Sequence, residues 1–290
     1  MRKFLLAAVL VLVPGGAQAS SYLDIFGNII NPIQYTAIGG GGNHPYSGPN
    51  LEASVALPLT GLASAELPNA NLSSTGLSGS DLSSSNLTNA NLSSAILTNS
   101  HLIETNLTDA NLYDLDLTGS ILSYATLIDA DLESATLTGA SLDSANLNGA
   151  TLDFSGLHSA NFTGANLTGA SLQFSLLTAT NLSNTTLNNV VFSGSTFLLT
   201  NFSNAAVAGA DFSNANLQNA QHLGSTTGSA LYDANTDFSS AWDGANNSAI
   251  FDPVAAGWVL VNTAVPEPNT ALLLGLGLTG LAAQGRRRRS

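Results

Sequence analysis

Four histidines, His44, His101, His158 and His222, are scattered along the chain, and no two have the helical or hairpin spacing of metal ligands. Asp233, Asn235 and Asp237 alternate like the first ligands of a calcium loop. Phe238 stands where such a loop turns on glycine, and Gly244 stands where it needs a bidentate glutamate. These aspartates read as turn residues more readily than as a calcium site. Serines abound, but no Gly-x-Ser-x-Gly elbow holds one as a nucleophile. Asp114 with Asp116, and Asp129 with Asp131, lie on an acidic, solvated surface, where close carboxylates repel rather than share a proton. Cysteine is absent, which removes thiolate chemistry, disulfides and zinc–cysteine sites together. The chemistry-bearing residues therefore predict no enzyme, no cofactor and no metal.

Charge narrows the partners. The 290 residues include 19 acids and six bases, a formal net charge of −13. Charged residues make up 9%, against about 25% in an ordinary domain. Apolar residues make up 44%, too many for a disordered polyanion. The bases are Arg2, Lys3 and Arg286 to Arg289, so none lies between Ser20 and Gly285. The body lacks the cations that neutralise phosphates, and nucleic acid is not an expected partner. Anionic lipid should repel it, leaving membrane contact to the C-terminal segment, and only transiently.

The two ends read as addresses. Arg2 and Lys3 precede the apolar run from Phe4 to Val13, which Pro14, Gly15 and Gly16 break. Ala17-Gln18-Ala19 then offers a small-x-small cleavage site, so 1–19 reads as a signal peptide and Ser20 as the mature start. An uncleaved anchor is the alternative. At the other end Pro266-Glu267-Pro268 precedes an apolar run from Ala271 to Ala283 and then Arg286, Arg287, Arg288 and Arg289. Apolar segment followed by basic cluster is a stop-transfer arrangement. Residues 265–290 resemble the PEP-CTERM sorting signal of Gram-negative bacteria. The resemblance implies recognition of Pro266, Glu267 and Pro268 by an exosortase, loss of the tail, and delivery to the cell surface or matrix. A plain membrane anchor is the alternative here.

Between these ends the chain repeats every five residues. From Leu57 to Leu217 every fifth residue is apolar, 33 positions without a slip. Two residues before each stands Ala, Ser or Thr, except at Val55, Leu115 and Val190. On an α-helix five residues advance the face by about 140°, which would spread the leucines all round. On a flat strand an odd spacing sends them to alternate sides. The chain must turn within every five residues, and a chain that does so winds into a solenoid. The small position shares the inward face and must fit the same narrow core.

Residues 57–217 resemble the pentapeptide-repeat family, whose unit is often written A(D/N)Lxx. The resemblance implies an all-β fold: a right-handed quadrilateral β-helix with 20 residues per coil. About eight coils, roughly 40 Å at the strand spacing, would fit here. Asn or Asp precedes the core residue at 15 of the 33 positions, and its expected role is to hydrogen-bond the turn rather than a ligand.

Residues 20–56 carry Leu23, Ile25, Phe26, Ile29 and Ile30 and read as an irregular N-terminal cap. In 218–264, Tyr232, Phe238, Trp242, Phe251 and Trp258 read as an aromatic C-terminal cap, with a carbohydrate- or partner-binding face as the alternative. Phe154 and Phe174 are 20 apart and should stack on one outer face, a candidate partner or homodimer surface if Ile103, Ile128, Leu176 and Leu198 make it contiguous. The leading reading is an exported structural or interaction protein of the envelope or extracellular polysaccharide matrix, whose partner is a polysaccharide or another envelope protein. A DNA mimic directed at a topoisomerase is one alternative. A solenoid presenting Ser and Thr arrays to glycans or ice is the other.

Overall fold

The computed structural model describes residues 62–241 and 250–261, together with two short strands, β1 (Tyr22–Leu23) and β2 (Ile29–Ile30), which pair antiparallel. The signal-peptide residues Ala17, Ala19 and Ser20 lie outside the described residues. So do Trp242, Gly244 and the sorting-signal residues Pro266 to Pro268 and Arg286 to Arg289.

Each five-residue unit makes one turn. The carbonyl of the inward Leu accepts from the N–H three residues on, as in Ala65 N to Leu62 O at 3.0 Å and Ala170 N to Leu167 O at 2.9 Å. The residue two after the inward side chain is left-handed at every unit from Ser64 to Asn219, with φ between 53° and 76°. Positive φ at the third residue is the signature of a type II turn. That explains why Gly, Asn, Asp and Ser crowd this position: they adopt the left-handed region at least cost. The turn supplies the bend that the five-residue period demands.

Units then pair along the axis. The residue before each inward side chain bridges in parallel to the residue 20 further on, from Glu66 with Asn86 to Asn201 with Gln221. Four such columns run up the solenoid. The ladder alternates two bonds, for example Leu87 N to Asn106 O at 2.7 Å and Asn86 N to Ala65 O at 2.8 Å. Backbone groups are thereby satisfied between coils although almost no residue forms a conventional strand.

The core is one continuous cluster of side chains inside this winding. Leu82 to Leu217 at five-residue spacing are buried to 1% exposure or less, with Phe162, Phe192, Phe197, Phe202 and Phe212 among them. Burying one such side chain contributes roughly 1.5–3 kcal/mol. The small residues two before each are buried as well. At several of the Ser and Thr positions the hydroxyl donates to a carbonyl 23 residues earlier: Ser100 to Leu77 O at 2.9 Å, Ser175 to Leu152 O at 2.7 Å, Thr180 to Leu157 O at 2.7 Å. These hydroxyls are paired inside an apolar core, as Thr75 and Ser155 are within their own turns, whereas those of Ser80 and Ser85 are buried without a partner.

The five-residue count stops at Leu217, but the ladder continues. His222 takes a left-handed conformation before a 3-10 turn, Leu223–Ser225, and Leu223 moves into the inward site one residue late. Bridges then span 21 residues at Ala206–Thr227 and Asn216–Asp237. Next come β3 (Leu231–Tyr232) and β4 (Val259–Leu260), paired in parallel. Trp258 stacks on Phe212 with centroids 5.0 Å apart and planes at 18°, and Phe238 and Phe251 pack around it. These aromatic side chains close the C-terminal end of the core. Among the described residues no helix is long and apolar enough to cross a membrane.

Candidate interaction surface

The outward side chains follow from the same unit. An Asn before the inward residue folds its Oδ1 back to the N–H two residues on, as Asn71 does to Ser73 at 3.1 Å and Asn181 to Ser183 at 3.1 Å. A Thr or Ser at that second position also donates its hydroxyl to the same oxygen: Thr88 to Asn86 and Thr168 to Asn166 at 2.7 Å, Thr163 to Asn161 at 2.6 Å. Between coils the amides continue the chain, Asn181 Nδ2 to Asn161 Oδ1 at 3.3 Å and Asn201 Nδ2 to Asn181 Oδ1 at 3.2 Å. The hydroxyls of Thr88, Thr108, Thr163, Thr168 and Ser203 are therefore committed to the turns. A hydroxyl that already donates inward offers a ligand only its lone pairs.

Several carboxylates serve the same purpose. The N–H and hydroxyl of Ser83 hold the Asp81 carboxyl below its ordinary value. The hydroxyls of Ser123 and Ser141 do so for Asp143, and the N–H and hydroxyl of Ser239 for Asp237. A carboxyl lowered in the fold stabilises it above the unfolded value near 3.9, and that contribution disappears as pH falls through the folded value. The expected result is that Asp143→Asn is less stable than wild type at neutral pH, and that the gap narrows as pH falls below the unfolded value near 3.9. Thermal melts of both chains from pH 7 to 2.5 check it; a constant gap would sink the assignment.

The residues singled out for chemistry do not assemble. Asp233 is buried, and its Oδ1 accepts from Asn214 N at 2.9 Å, Asn235 N at 3.1 Å and Thr236 Oγ1 at 2.9 Å. Asp237 meanwhile accepts from Ser239 N at 2.8 Å. The segment uses its aspartates to hold the last coil. Asp114 accepts from Ser94 on the coil below, at 3.1 Å, while Asp116 takes Thr118 N at 2.9 Å. Asp131 takes Glu133 N at 3.0 Å. Among the described residues no group of three His, Asp or Glu is placed to hold a metal ion. His101 and His158 stand in different columns, and His44 lies outside the described residues.

Phe154 and Phe174 are brought together. Both stand at turn corners, with φ 58° and 55°, and are 57% and 55% exposed. Their rings stack at 5.4 Å and 11°. Phe174 then leans over Gly194, where an added Cβ would come within 2.5 Å of the ring. Leu176 and Leu198 are exposed on the face these corners border, and Leu199 is exposed at its other corner. Ile103 and Ile128 belong to other columns. Leu199 escaped the sequence reading, although its offset from the inward Phe197 is the corner offset of Phe154 from Leu152.

This repeating turn-and-ladder has a match. The family model for pentapeptide repeats, in eight copies, covers residues 62–89, 85–123, 122–153 and 155–194. The chain belongs to the pentapeptide-repeat family. Pentapeptide-repeat chains form a right-handed β-helix, and the 20-residue ladder described above is of that kind. Residues 264–289 match the PEP-CTERM protein-sorting motif, which marks the chain for export and exosortase processing in a Gram-negative bacterium. Similar solved pentapeptide-repeat structures include HetL, involved in heterocyst differentiation regulation in the cyanobacterium Nostoc sp. strain PCC 7120. It is 28% identical over 62% of this chain and 85% of its own, with TM-score 0.36. AT2G44920, from the Arabidopsis thaliana thylakoid lumen, is 34% identical over 36% of this chain and 69% of its own, with TM-score 0.21. QnrB1, a plasmid-mediated fluoroquinolone resistance protein, is 19% identical over 63% of this chain and 89% of its own, with TM-score 0.45. No curated protein matches the chain.

Proposed function

We propose that this pentapeptide-repeat chain is a non-enzymatic structural or interaction protein of the cell envelope or extracellular polysaccharide matrix. The observation that carries the reading is the sorting motif at 264–289 on a solenoid many of whose Asn, Asp and Thr side chains bond its own turns. Residues 1–19 act as the signal peptide, with cleavage after Ala19, and 20–56 cap the N-terminal end. The quadrilateral solenoid of about eight coils spans 57–217, and 218–264 form the aromatic cap. In 265–290, Pro266, Glu267 and Pro268 are the exosortase box and Arg286 to Arg289 the basic stop. An exported polyanion without internal cations stays extended and soluble among other matrix components.

The glycan or ice reading is weakened at Thr88, Thr163 and Thr168, because ligand binding there would have to break their pairs with Asn. A DNA mimic acting on a cytoplasmic topoisomerase conflicts with a motif that sends the chain outward.

Intact mass with cell fractionation, on the native protein from its own host, tests the proposal. The expected product begins at Ser20, ends near Pro266 to Pro268, and is found outside the cytoplasm. A full-length cytoplasmic product would overturn it, and the topoisomerase-directed reading would take its place.

A further inference from the structure

The face centred on Leu176 differs from the rest of the solenoid. Phe154 and Phe174 border it on one corner and Leu199 on the other, with Leu176 and Leu198 exposed between them. Its three rungs, 154–159, 174–179 and 194–199, contain no Asp or Glu. His158 is the one titratable side chain among them. On the preceding face, the rungs below carry Asp109, Asp129, Asp131, Glu133 and Asp153. The corners themselves are costly places for large side chains. A bulky L-residue at positive φ is strained, and most corners hold Gly, Asn, Asp or Ser instead. Of the four large aromatic or aliphatic corner residues, Tyr124, Phe154, Phe174 and Leu199, three border this one face. The isolated chain gains little from rings that remain more than half exposed.

We propose that this face binds the same face of a second copy of the chain, in a two-fold, antiparallel pair. Charge selects that occupant. The body carries all 19 acids and no Lys or Arg between Ser20 and Gly285. Two copies that met through carboxylate-bearing faces would repel, with no cation to offset the charge. A cationic partner would find its attraction at those carboxylates and not here. An uncharged apolar face on a polyanion is self-complementary, as an isologous contact requires. Three rungs at about 4.8 Å make a small contact, so the pairing is weak and grows with the local density of copies. Salt strengthens it by screening repulsion between the remaining faces, whereas salt weakens attraction to a cationic partner. The inference holds wherever the protein is delivered and does not rest on the matrix reading.

The absence of cysteine gives a clean test. The full chain carrying Thr178→Cys places one thiol at the middle of the face, and Thr168→Cys places one at the same offset half a coil away. Under mild oxidation Thr178→Cys should give several-fold more disulfide dimer than Thr168→Cys, and its yield should rise with salt from about 50 to 500 mM. Adding Phe154→Asn, Phe174→Asn and Leu199→Asn should bring the yield down to that of Thr168→Cys. Asparagine already occupies corners such as Asn89 and Asn184, so the fold, checked by circular dichroism, should persist. Equal yields from the two thiols, or a yield that survives the triple substitution, would overturn the proposal and point to association through the apolar tail. A yield that falls with salt, or no dimer at any concentration, would overturn it in favour of a foreign partner on this face.

Discussion

Replacing Phe212 with alanine should destabilise the protein by about 3–5 kcal/mol, more than any exposed substitution. Phe212 stacks on Phe192 at 4.9 Å from below and carries Trp258 at 5.0 Å from above. Phe197 and Phe202 close its sides at 5.6 and 6.0 Å. One ring therefore joins the regular coils to the cap over them. A cavity there cannot collapse easily, because the ladder fixes the backbone on all four sides. A solenoid is stabilised by terms between neighbours, so the loss should fall first on the C-terminal coils. Urea unfolding of Phe212→Ala, read by tryptophan emission and by circular dichroism, should show the emission change at lower urea than the backbone signal. Trp258 stacks on Phe212 and reports this end of the core. A cost below about 1 kcal/mol would mean that the cap does not depend on this ring.

Deleting a whole unit should be tolerated where deleting one residue is not. Removal of 163–167 leaves Leu172 five residues after Phe162 and keeps a glycine at the corner. Every inward side chain downstream still points inward, but each outer face rotates by one column. Phe154 and Phe174 would then be 15 residues apart, on different corners, so their stack and any dimer that depends on it should be lost from a folded chain. Removal of Ala165 alone breaks the count instead. Four inward residues per coil go astray, on the order of 6–12 kcal/mol of burial, which rivals the whole stability of a typical domain. The chain absorbs an irregular count at the 3-10 turn Leu223–Ser225, in the last coil before the cap, where few rungs remain to be realigned. Cooperative melting of the single-residue deletion at the wild-type temperature would refute the counting argument.

Much of this winding is legible in the sequence. The period of five depends only on where apolar side chains recur, so the inward positions and the small residues two before them could be read directly. The stack of Phe154 on Phe174 could be read too, because a separation of 20 is one full coil of the family pattern. The continuation past Leu217 could not. It depends on His222 adopting a left-handed backbone, which no local pattern around it signals. The pairing of outward hydroxyls with Asn was also hidden. Sequence shows Asn and Thr two apart, but only the turn geometry brings Thr163 Oγ1 onto Asn161 Oδ1. Leu199 went unnoticed because a leucine beside the inward Phe197 reads as part of the core until the corner is placed.

The last rung has a mechanical meaning. β4 joins the solenoid through Val259 N to Ala230 O and Val261 N to Tyr232 O, both at 2.7 Å, and the sorting motif begins only a few residues later. A pull on that end would load these two bonds, and then each following rung, one after another rather than together. The coils would peel singly from the tethered end, each trading about 4.8 Å of axial length for roughly 66–72 Å of extended chain. Under tension such a rod behaves as a paying-out spool, lengthening in small steps while its far coils stay wound.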